Sequence, residues 1–375
     1  MSQPANGKIP VLIASTLKPI RDVRAFDKLA LSLGETNKYR LFIIGFSPKK
    51  PKNDSEIRFF SSMSHFHSSL DRLLAQVRFA RIMLKIRPKL VICSTYEYLP
   101  LTALFQFFWN LKIVYDVQEN YLANLELNPS QARWKKKLAA KLIHWAEKSA
   151  SVDLYLLAEN CYAAKMPEKR PYLILENRFQ GKIHSIGPIS FAGKKTFHFV
   201  ITGTLTPAYG ILQAIEWFKV IIKEYPESTL QIIGHVTLPD FVEKIKSQTE
   251  GITQIRLQLS LEPLPNAELL EAVKKADFVL LPYQLHPAIR SKMPTKLFEC
   301  AALGVPVLMT PNPIWEQFFE SYQGGASVDF TDLQGALTLF HHAIGQTYFS
   351  TPVPQSVIWD SQKAEFQQII EKILA

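Results

Sequence analysis

Short, unbroken apolar runs alternate with longer stretches of helical period along the whole chain. In the first half the runs lie at 11–14, 40–45, 90–93, 112–115, 154–157 and 172–175, with a helical stretch at 24–33 between the first two. In the second half they lie at 197–202, 229–234, 254–259, 278–282 and 305–310, with helical patterns at 210–225 and 267–275. Runs without polar alternation suit strands covered on both faces, and their alternation with helices predicts doubly wound parallel sheets. A stretch of mixed Gly, Pro and Ser at 181–195 has neither period and marks a seam. Since 375 residues exceed what one core usually supports, two Rossmann-like domains are expected, at 1–187 and 188–355. A last helix within 356–375 follows Pro352 and Pro354.

The segment Met293-Pro294-Thr295-Lys296-Leu297-Phe298-Glu299-Cys300-Ala301-Ala302-Leu303-Gly304-Val305-Pro306-Val307-Leu308 carries the most chemistry. Pro294 suits a helix start and Gly304 its stop, and a buried strand follows. Glu299 is then an acid one to two turns before the end of a helix packed on a parallel sheet. Taken alone, the residues also fit an ordinary crossover helix with a surface acid.

This segment resembles the nucleotide-sugar site of the retaining GT-B glycosyltransferases, the glycogen-synthase-like group known as glycosyl transferases group 1. Their Pro-x-Lys-Leu-x-Glu-x-x-Ala-x-Gly-x-Pro-Val string carries the glutamate that holds the donor ribose, here Glu299, with Lys296 and Leu297 before it. The family's second glutamate, eight residues earlier, is Ser291 here. The resemblance implies two Rossmann-like domains facing a cleft, a retaining mechanism in which donor phosphate assists acceptor deprotonation, and a last helix that returns to the first domain.

Other family positions are matched in part. The family's Gly-Arg-Leu and Lys-Gly cations are replaced in Gly203-Thr204-Leu205-Thr206-Pro207-Ala208-Tyr209-Gly210, where Gly203 and Gly210 match while Thr204 and Tyr209 stand in the charged places. Gly234 and His235 match a turn under the nucleotide base, and Asn177 stands at a Pro-Asn-Gly turn without its proline and glycine. Asp116-Val117-Gln118-Glu119 resembles an Asp-x-His-Glu sequence near the acceptor, which makes Asp116 and Glu119 catalytic candidates, although Asp116 could equally cap a helix. The loop 15–24 lacks the family's glycine pair and offers Lys18, Arg21 and Arg24 to the diphosphate instead.

A departing nucleoside diphosphate gathers negative charge, which a metal, cationic side chains or a helix N-terminus can offset. No Asp-x-Asp pair occurs, so no metal is expected, and Arg290, Lys292 and Lys296 are the leading phosphate partners. Cys93, Cys161 and Cys300 sit in apolar patterns without metal-like spacing, as buried thiols of a reducing compartment do.

Charge is uneven. Residues 1–190 hold 29 Lys and Arg against 15 Asp and Glu, a surplus of 14, whereas residues 191–375 hold 14 against 18. Basic residues gather at 72–89 and at 133–148. In the second segment Trp134, Leu138, Leu142 and Trp145 recur at helical spacing. Such a helix suits an anionic membrane surface, yet the same stripe would also suit the core of the domain. Nucleic acid is not expected, because no helix-turn-helix, zinc pattern or stacking platform appears. The polar opening residues lead straight into a strand, so no signal peptide is expected, and no stretch is apolar enough to span a bilayer.

The sequence therefore predicts an enzyme that moves a sugar from a nucleotide-sugar to a lipid-linked or cell-envelope saccharide, retaining and metal-independent. It would act in the cytoplasm as a peripheral protein at the inner face of the membrane. A degenerate donor-binding or scaffold protein is the alternative, motivated by Ser291, Thr204 and Tyr209.

Overall fold

The computed structural model describes residues 7–54, 56–65, 68–126, 132–184 and 187–375. It divides into two compact units, 1–180 with 359–375, and 181–358. The divisions fall at 180/181 and 358/359 rather than at 187/188 and 355/356. The expected seam contains residues 185 and 186, which lie outside the described residues.

The first unit is built on seven parallel strands: β1 Ile9–Pro19, β2 Tyr39–Phe46, β3 Ile57–Ser61, β4 Leu90–Cys93, β5 Lys112–Val117, β6 Leu154–Leu157 and β7 Tyr172–Ile174. Their order is β3-β2-β1-β4-β5-β6-β7, a sheet wound outward in both directions from its first strand. Val11, Ile13, Leu41, Ile43 and Leu90 point to one side and Leu12, Ala14, Phe42, Ile44 and Val91 to the other, and both sets are buried. This explains the absence of alternation in their sequence: each face has its own helical cover. The helix Asp360–Leu374 supplies Phe366 and Ile370 to the first of these cores, beside Trp359. Trp359 also donates its indole N–H to Ser32 Oγ at 2.8 Å.

Strand β3 has no counterpart among the sequence-predicted runs. Its residues Ile57-Arg58-Phe59-Phe60-Ser61 place a cation at the second position of a short edge strand, where an apolar run is interrupted because one neighbour is missing.

The second unit holds six parallel strands: β9 His198–Leu205, β10 Thr229–Val236, β11 Ile255–Ser260, β12 Phe278–Leu281, β13 Val307–Met309 and β14 Gly325–Ser327, in the order β11-β10-β9-β12-β13-β14. A small antiparallel pair, β8 Ile189–Ser190 with β15 Thr347–Tyr348, accompanies them. Strand β14 and this pair were not legible as apolar runs, being two or three residues long. Phe197, Phe199, Phe278 and Phe340 pack with Trp217 in one aromatic cluster against β9 and β12.

In the first unit, one buried ion pair ties the loop after β1 to the far strands. Asp22 caps the wide-turned helix Val23–Ala30 by accepting from the backbone N–H groups of Arg24 and Ala25 at 3.0 Å. Arg24, 2% exposed, then forks onto Asp116, which is fully buried in β5, with Nη2 2.7 Å and Nε 2.9 Å from Oδ1. Its Nη1 donates to the Leu175 carbonyl at 2.9 Å, just beyond β7. Breaking a buried pair of this kind leaves a charge without a partner, at a cost of about 3–5 kcal/mol. Arg24→Ala should therefore lower the free energy of unfolding by that amount. Arg24→Met with Asp116→Leu should cost less than the single change; a larger loss for the double variant, from denaturant midpoints, would show that the pair is not what links these strands.

Candidate functional site

The carboxyl ends of the strands in the second unit gather most of the candidate residues. Strand β9 ends at Leu205, and a short turn of helix, Pro207–Tyr209, leads through Gly210 into the helix Ile211–Glu224. Gly210 has φ 68°, in the left-handed region, and a Cβ there would lie 1.8 Å from the carbonyl oxygen of Pro282, which follows β12. Gly234 pairs with Gly203 across β10 and β9, where a Cβ would meet the Gly203 oxygen at 1.9 Å. Gly203 itself has φ 104° and lies under the Lys296 side chain, whose Cε is 3.4 Å from the place a Cβ would take. Glycines at these points let the turns after three strands approach one another.

Above them stands the helix Thr295–Leu303, with Pro294 before its first residue and Gly304, at φ 66°, closing it. The expected start and stop of this helix are both observed. Lys296 and Glu299 face each other one turn apart, with Nζ 2.6 Å from Oε2, and Glu299 is only 7% exposed. An acid beside this sheet is thus compensated by a lysine on its own helix, and the pair closes over Gly203. Leu297 is buried beneath.

Two tyrosines complete the site. Tyr209 and Tyr283 stack with ring centroids 4.4 Å apart and planes at 16°, and Tyr283 meets the Trp315 indole edge-on. Thr204, Tyr209, Tyr283 and Lys296 line one small hollow. Burial, together with the nearby Tyr209, Glu299 and Cys300, pushes the Tyr283 phenol far above its usual range, so it acts as a neutral hydrogen-bonding ring. Burial likewise raises the Cys300 thiol, and pushes Cys93 up to about 12, which leaves both as packing groups.

Arg290 and Lys292 lie in the loop before this helix, Arg290 exposed and Lys292 partly so. Their backbone carbonyls are latched from behind. Asn312 donates to the Arg290 oxygen at 2.9 Å while its own Oδ1 caps the helix Pro313–Glu320, and the Trp315 indole donates to the Lys292 oxygen at 2.8 Å. Neither Asn312, Trp315 nor Tyr283 was singled out from the sequence. Asn312-Pro313 after a strand is a helix-start signal that could have located the first, but nothing local predicts where its amide points. His235 is partly buried at the end of β10, in register with Thr204 on β9.

The first unit treats its candidates differently. Arg24 and Asp116 are committed to each other as described, and Asp116 also accepts from Gln118 Nε2 at 2.8 Å. Asp116 lies within β5 and caps no helix; both of its oxygens accept hydrogen bonds, from Arg24 and Gln118. Arg21 lies with its guanidinium 4.9 Å from the Phe26 ring and 5.0 Å from the Phe59 ring, and 3.9 Å from Asp54. Lys18 is 3.9 Å from Glu119. Partial burial works against its charge, but Glu119, Asp22 and Asp116 more than offset this and raise its pKa above the ordinary lysine value. Glu119 also accepts from Asn124 at 2.8 Å, and Asn177 accepts from the buried ammonium of Lys28. Each of the three cations of the 15–24 loop thus has an acid within 3.9 Å: Glu119 for Lys18, Asp54 for Arg21 and Asp116 for Arg24.

Three neighbouring helices of this unit carry exposed apolar residues. On the helix Arg133–Lys148, Trp134 (65% exposed), Leu138, Leu142 and Trp145 face outward, while Ile143 and Ala146 are buried. The core alternative for the tryptophan stripe is thereby corrected. Leu104, Phe107 and Phe108 on Leu99–Phe108, and Leu70, Leu73, Leu74, Val77 and Leu84 on Ser69–Ile86, are exposed as well. Among the described residues no helix is long and apolar enough to cross a membrane, and no three His, Cys, Asp or Glu side chains are grouped to hold a metal ion.

Two parallel sheets of this order, the second ending in close-approach glycines under a Lys–Glu pair, define the GT-B class of two Rossmann-like domains. Residues 187–339 match the family model of the glycosyl transferases group 1, so the resemblance read from the sequence holds for the second unit. Sucrose-phosphate synthase from Thermosynechococcus elongatus superimposes with a TM-score of 0.68 at 10% identity, covering 98% of this chain and 99% of its own. HepE of Anabaena, solved with UDP-glucose, gives 0.61 at 12% over 97% and 100%. WaaG, a glycosyltransferase involved in lipopolysaccharide biosynthesis, gives 0.61 at 12% over 96% and 95%. At these identities the likeness is one of fold. No curated protein matches the sequence significantly.

The glycine turn yields a direct test. Gly210→Ala puts a side chain into the Pro282 oxygen and costs at least about 1–2 kcal/mol for the left-handed backbone alone. Gly187→Ala, where nothing lies within 4 Å, is the matched control. The first variant should unfold at clearly lower denaturant than the second; equal midpoints would refute the close approach.

Proposed function

We propose that the protein transfers a sugar from a nucleotide-sugar donor to a lipid-linked or cell-envelope saccharide, with retention and without a metal. The observation that carries this is the Lys296–Glu299 pair over Gly203, inside the stretch that matches the glycosyl transferases group 1. Glu299 has the place and burial to accept from ribose hydroxyls. Lys296, released from it by a bound donor, would turn to the diphosphate together with Arg290 and Lys292 at the start of the helix Thr295–Leu303, where charge on the leaving group is neutralised. Retention and deprotonation of the acceptor by donor phosphate follow from the family resemblance. That HepE has been solved with UDP-glucose makes a uridine nucleotide the first donor to try.

A charged acceptor on ribose contributes about 1.5–3 kcal/mol, so Glu299→Ala should weaken nucleotide binding roughly 10- to 100-fold. Arg290→Ala with Lys292→Ala should weaken UDP much more than uridine. In assays with UDP-sugars and an envelope lipid extract as acceptor, the wild type should release free UDP in an EDTA-insensitive reaction. Binding without any release would favour the scaffold reading, for which Thr204 and Tyr209 in place of cations are the motive. Loss of release with EDTA would exclude the metal-free mechanism.

The acceptor side is proposed to work at the inner face of an anionic membrane, in the cytoplasm. Support comes from the surplus of 14 positive charges over residues 1–190 and from the outward tryptophan stripe flanked by Lys135, Lys137 and Lys141. Co-sedimentation with liposomes should rise with anionic lipid and fall with salt, because surface attraction is screened within about 8 Å at physiological ionic strength. Changing Lys135, Lys136, Lys137 and Lys141 to Gln should remove up to about 4 kcal/mol of it and leave nucleotide binding intact. Wild-type protein remaining in the supernatant with anionic liposomes at low salt would defeat this placement.

A further inference from the structure

A cavity of about 490 Å³ opens beside the edge of the first unit's sheet, lined by Arg40, Phe42, Lys50, Arg58, Phe60 and Lys85 among others. Its construction follows from strand register. Phe42 is paired with Arg58 and Ile44 with Phe60 across β2 and β3, so Arg40, Phe42, Arg58 and Phe60 share the sheet face that the helix Ser69–Ile86 covers. That helix delivers Lys85 from its last turn. Lys50 comes from the loop between β2 and β3, which is pinned by Asn53 accepting from the Phe59 N–H at 3.0 Å. The Phe42 and Phe60 rings stack 6.4 Å apart as an apolar floor, and the Arg40 guanidinium lies 5.4 Å from the Phe42 ring.

The charge of this cavity is what calls for a ligand. Four cations line it and no acid does; Asp54 and Glu56 line a second hollow that shares Arg40, Asn53 and Arg58 with it. Among the described residues none of the four forms an ion pair. Arg40 Nε, moreover, is buried without a hydrogen-bond partner. A buried donor left unsatisfied is costly, and like charges around one hollow repel, so both costs are removed by one oxyanion accepting from the two guanidinium groups. The volume falls in the range of small-molecule sites, and the phenylalanine floor suits an apolar or planar body next to the anion.

This hollow is separate from the crevice in which sugar nucleotides are expected. Its lining runs along β3 from Arg58 to Ser61 and includes no residue of the candidate donor site; Arg40 and Arg58, the second residues of β2 and β3, lie at the amino ends of parallel strands, whereas nucleotide crevices lie at the carboxyl ends. We propose that the cavity is a phosphate site of the first unit, taking an organic phosphate, either soluble or the headgroup of a lipid, with Arg40 and Arg58 as the recognition pair.

Phenyl phosphate, which joins the two features, is the probe. Titrated calorimetrically into the full chain with excess UDP present, it should bind at one site and lose roughly 100-fold in affinity in the Arg40→Gln/Arg58→Gln variant, as two lost charged hydrogen bonds imply. Should that variant fail to fold, Arg40→Lys/Arg58→Lys, which keeps the charge without the fork, should bind about 10-fold more weakly than wild type. Vesicles of phosphatidic acid in phosphatidylcholine separate the sources. A variant that loses phenyl phosphate but sediments with vesicles like wild type assigns the site to a soluble phosphate, and one that also loses vesicle binding assigns it to a lipid headgroup. Equal phenyl phosphate affinity and equal vesicle binding in wild type and variant overturn the proposal.

Discussion

The candidate donor site rests on backbone closeness. Gly210 against Pro282 and Gly234 against Gly203 are contacts that no side chain survives, and Gly203 under Lys296 holds a φ of 104° that side chains rarely adopt. They bring the turns after β9, β10 and β12 together at one end of the second sheet. Everything polar at the site is arranged around that closeness. Tyr209 reaches Tyr283 because the turn carrying it is drawn in at Gly210, and Lys296 can lie flat over β9 because Gly203 offers no side chain beneath it. Thr204 and Tyr209 carry no charge there; the bare backbone beside them is the constraint.

The Lys296–Glu299 pair then follows from burial. A carboxylate 7% exposed beside a sheet needs a cation or several hydrogen bonds, and the helix supplies the cation three residues earlier. The pair that compensates the acid also holds the lysine over Gly203, so the burial of the carboxylate and the position of the cation come from one contact. The first unit resolves the same problem more rigidly. Arg24 and Asp116 hold each other and the Leu175 carbonyl, tying the loop after β1 to β5 and the end of β7.

How much of this could be read from the sequence depended on whether the cause was local. Strands buried on both faces announce themselves as apolar runs, and β4 and β6 were placed to the residue. The helix of Glu299 was legible from Pro294 and Gly304 because its ends are set by local backbone preferences. Short strands such as β14, and the edge strand β3 with Arg58 inside it, have too few apolar residues to show a period. Pairing of charges was the least legible. Arg24 meets Asp116 across 92 positions of sequence, and the fork of a guanidinium onto a distant carboxylate leaves no trace in either neighbourhood. Arg24 therefore read as a phosphate ligand, with no sign of the Asp116 carboxylate onto which it is forked.

The same limit explains why the cationic hollow was invisible beforehand. Arg40, Lys50, Arg58 and Lys85 are spread over three elements and a loop, and in the sequence they are only part of the basic surplus of residues 1–190. Only the register of β2 on β3 turns two of them to one face. The helix Ser69–Ile86 then makes that face partly enclosed. Net charge alone would assign such residues to diffuse attraction, which weakens with ionic strength and discriminates little. Enclosure changes the argument: a guanidinium whose Nε is shut off from water can be satisfied only by a group with defined position. The surplus charge of residues 1–190 thus divides into two kinds. Part is spread along the exposed helix Arg133–Lys148, and part is gathered around the hollow lined by Arg40, Lys50, Arg58 and Lys85.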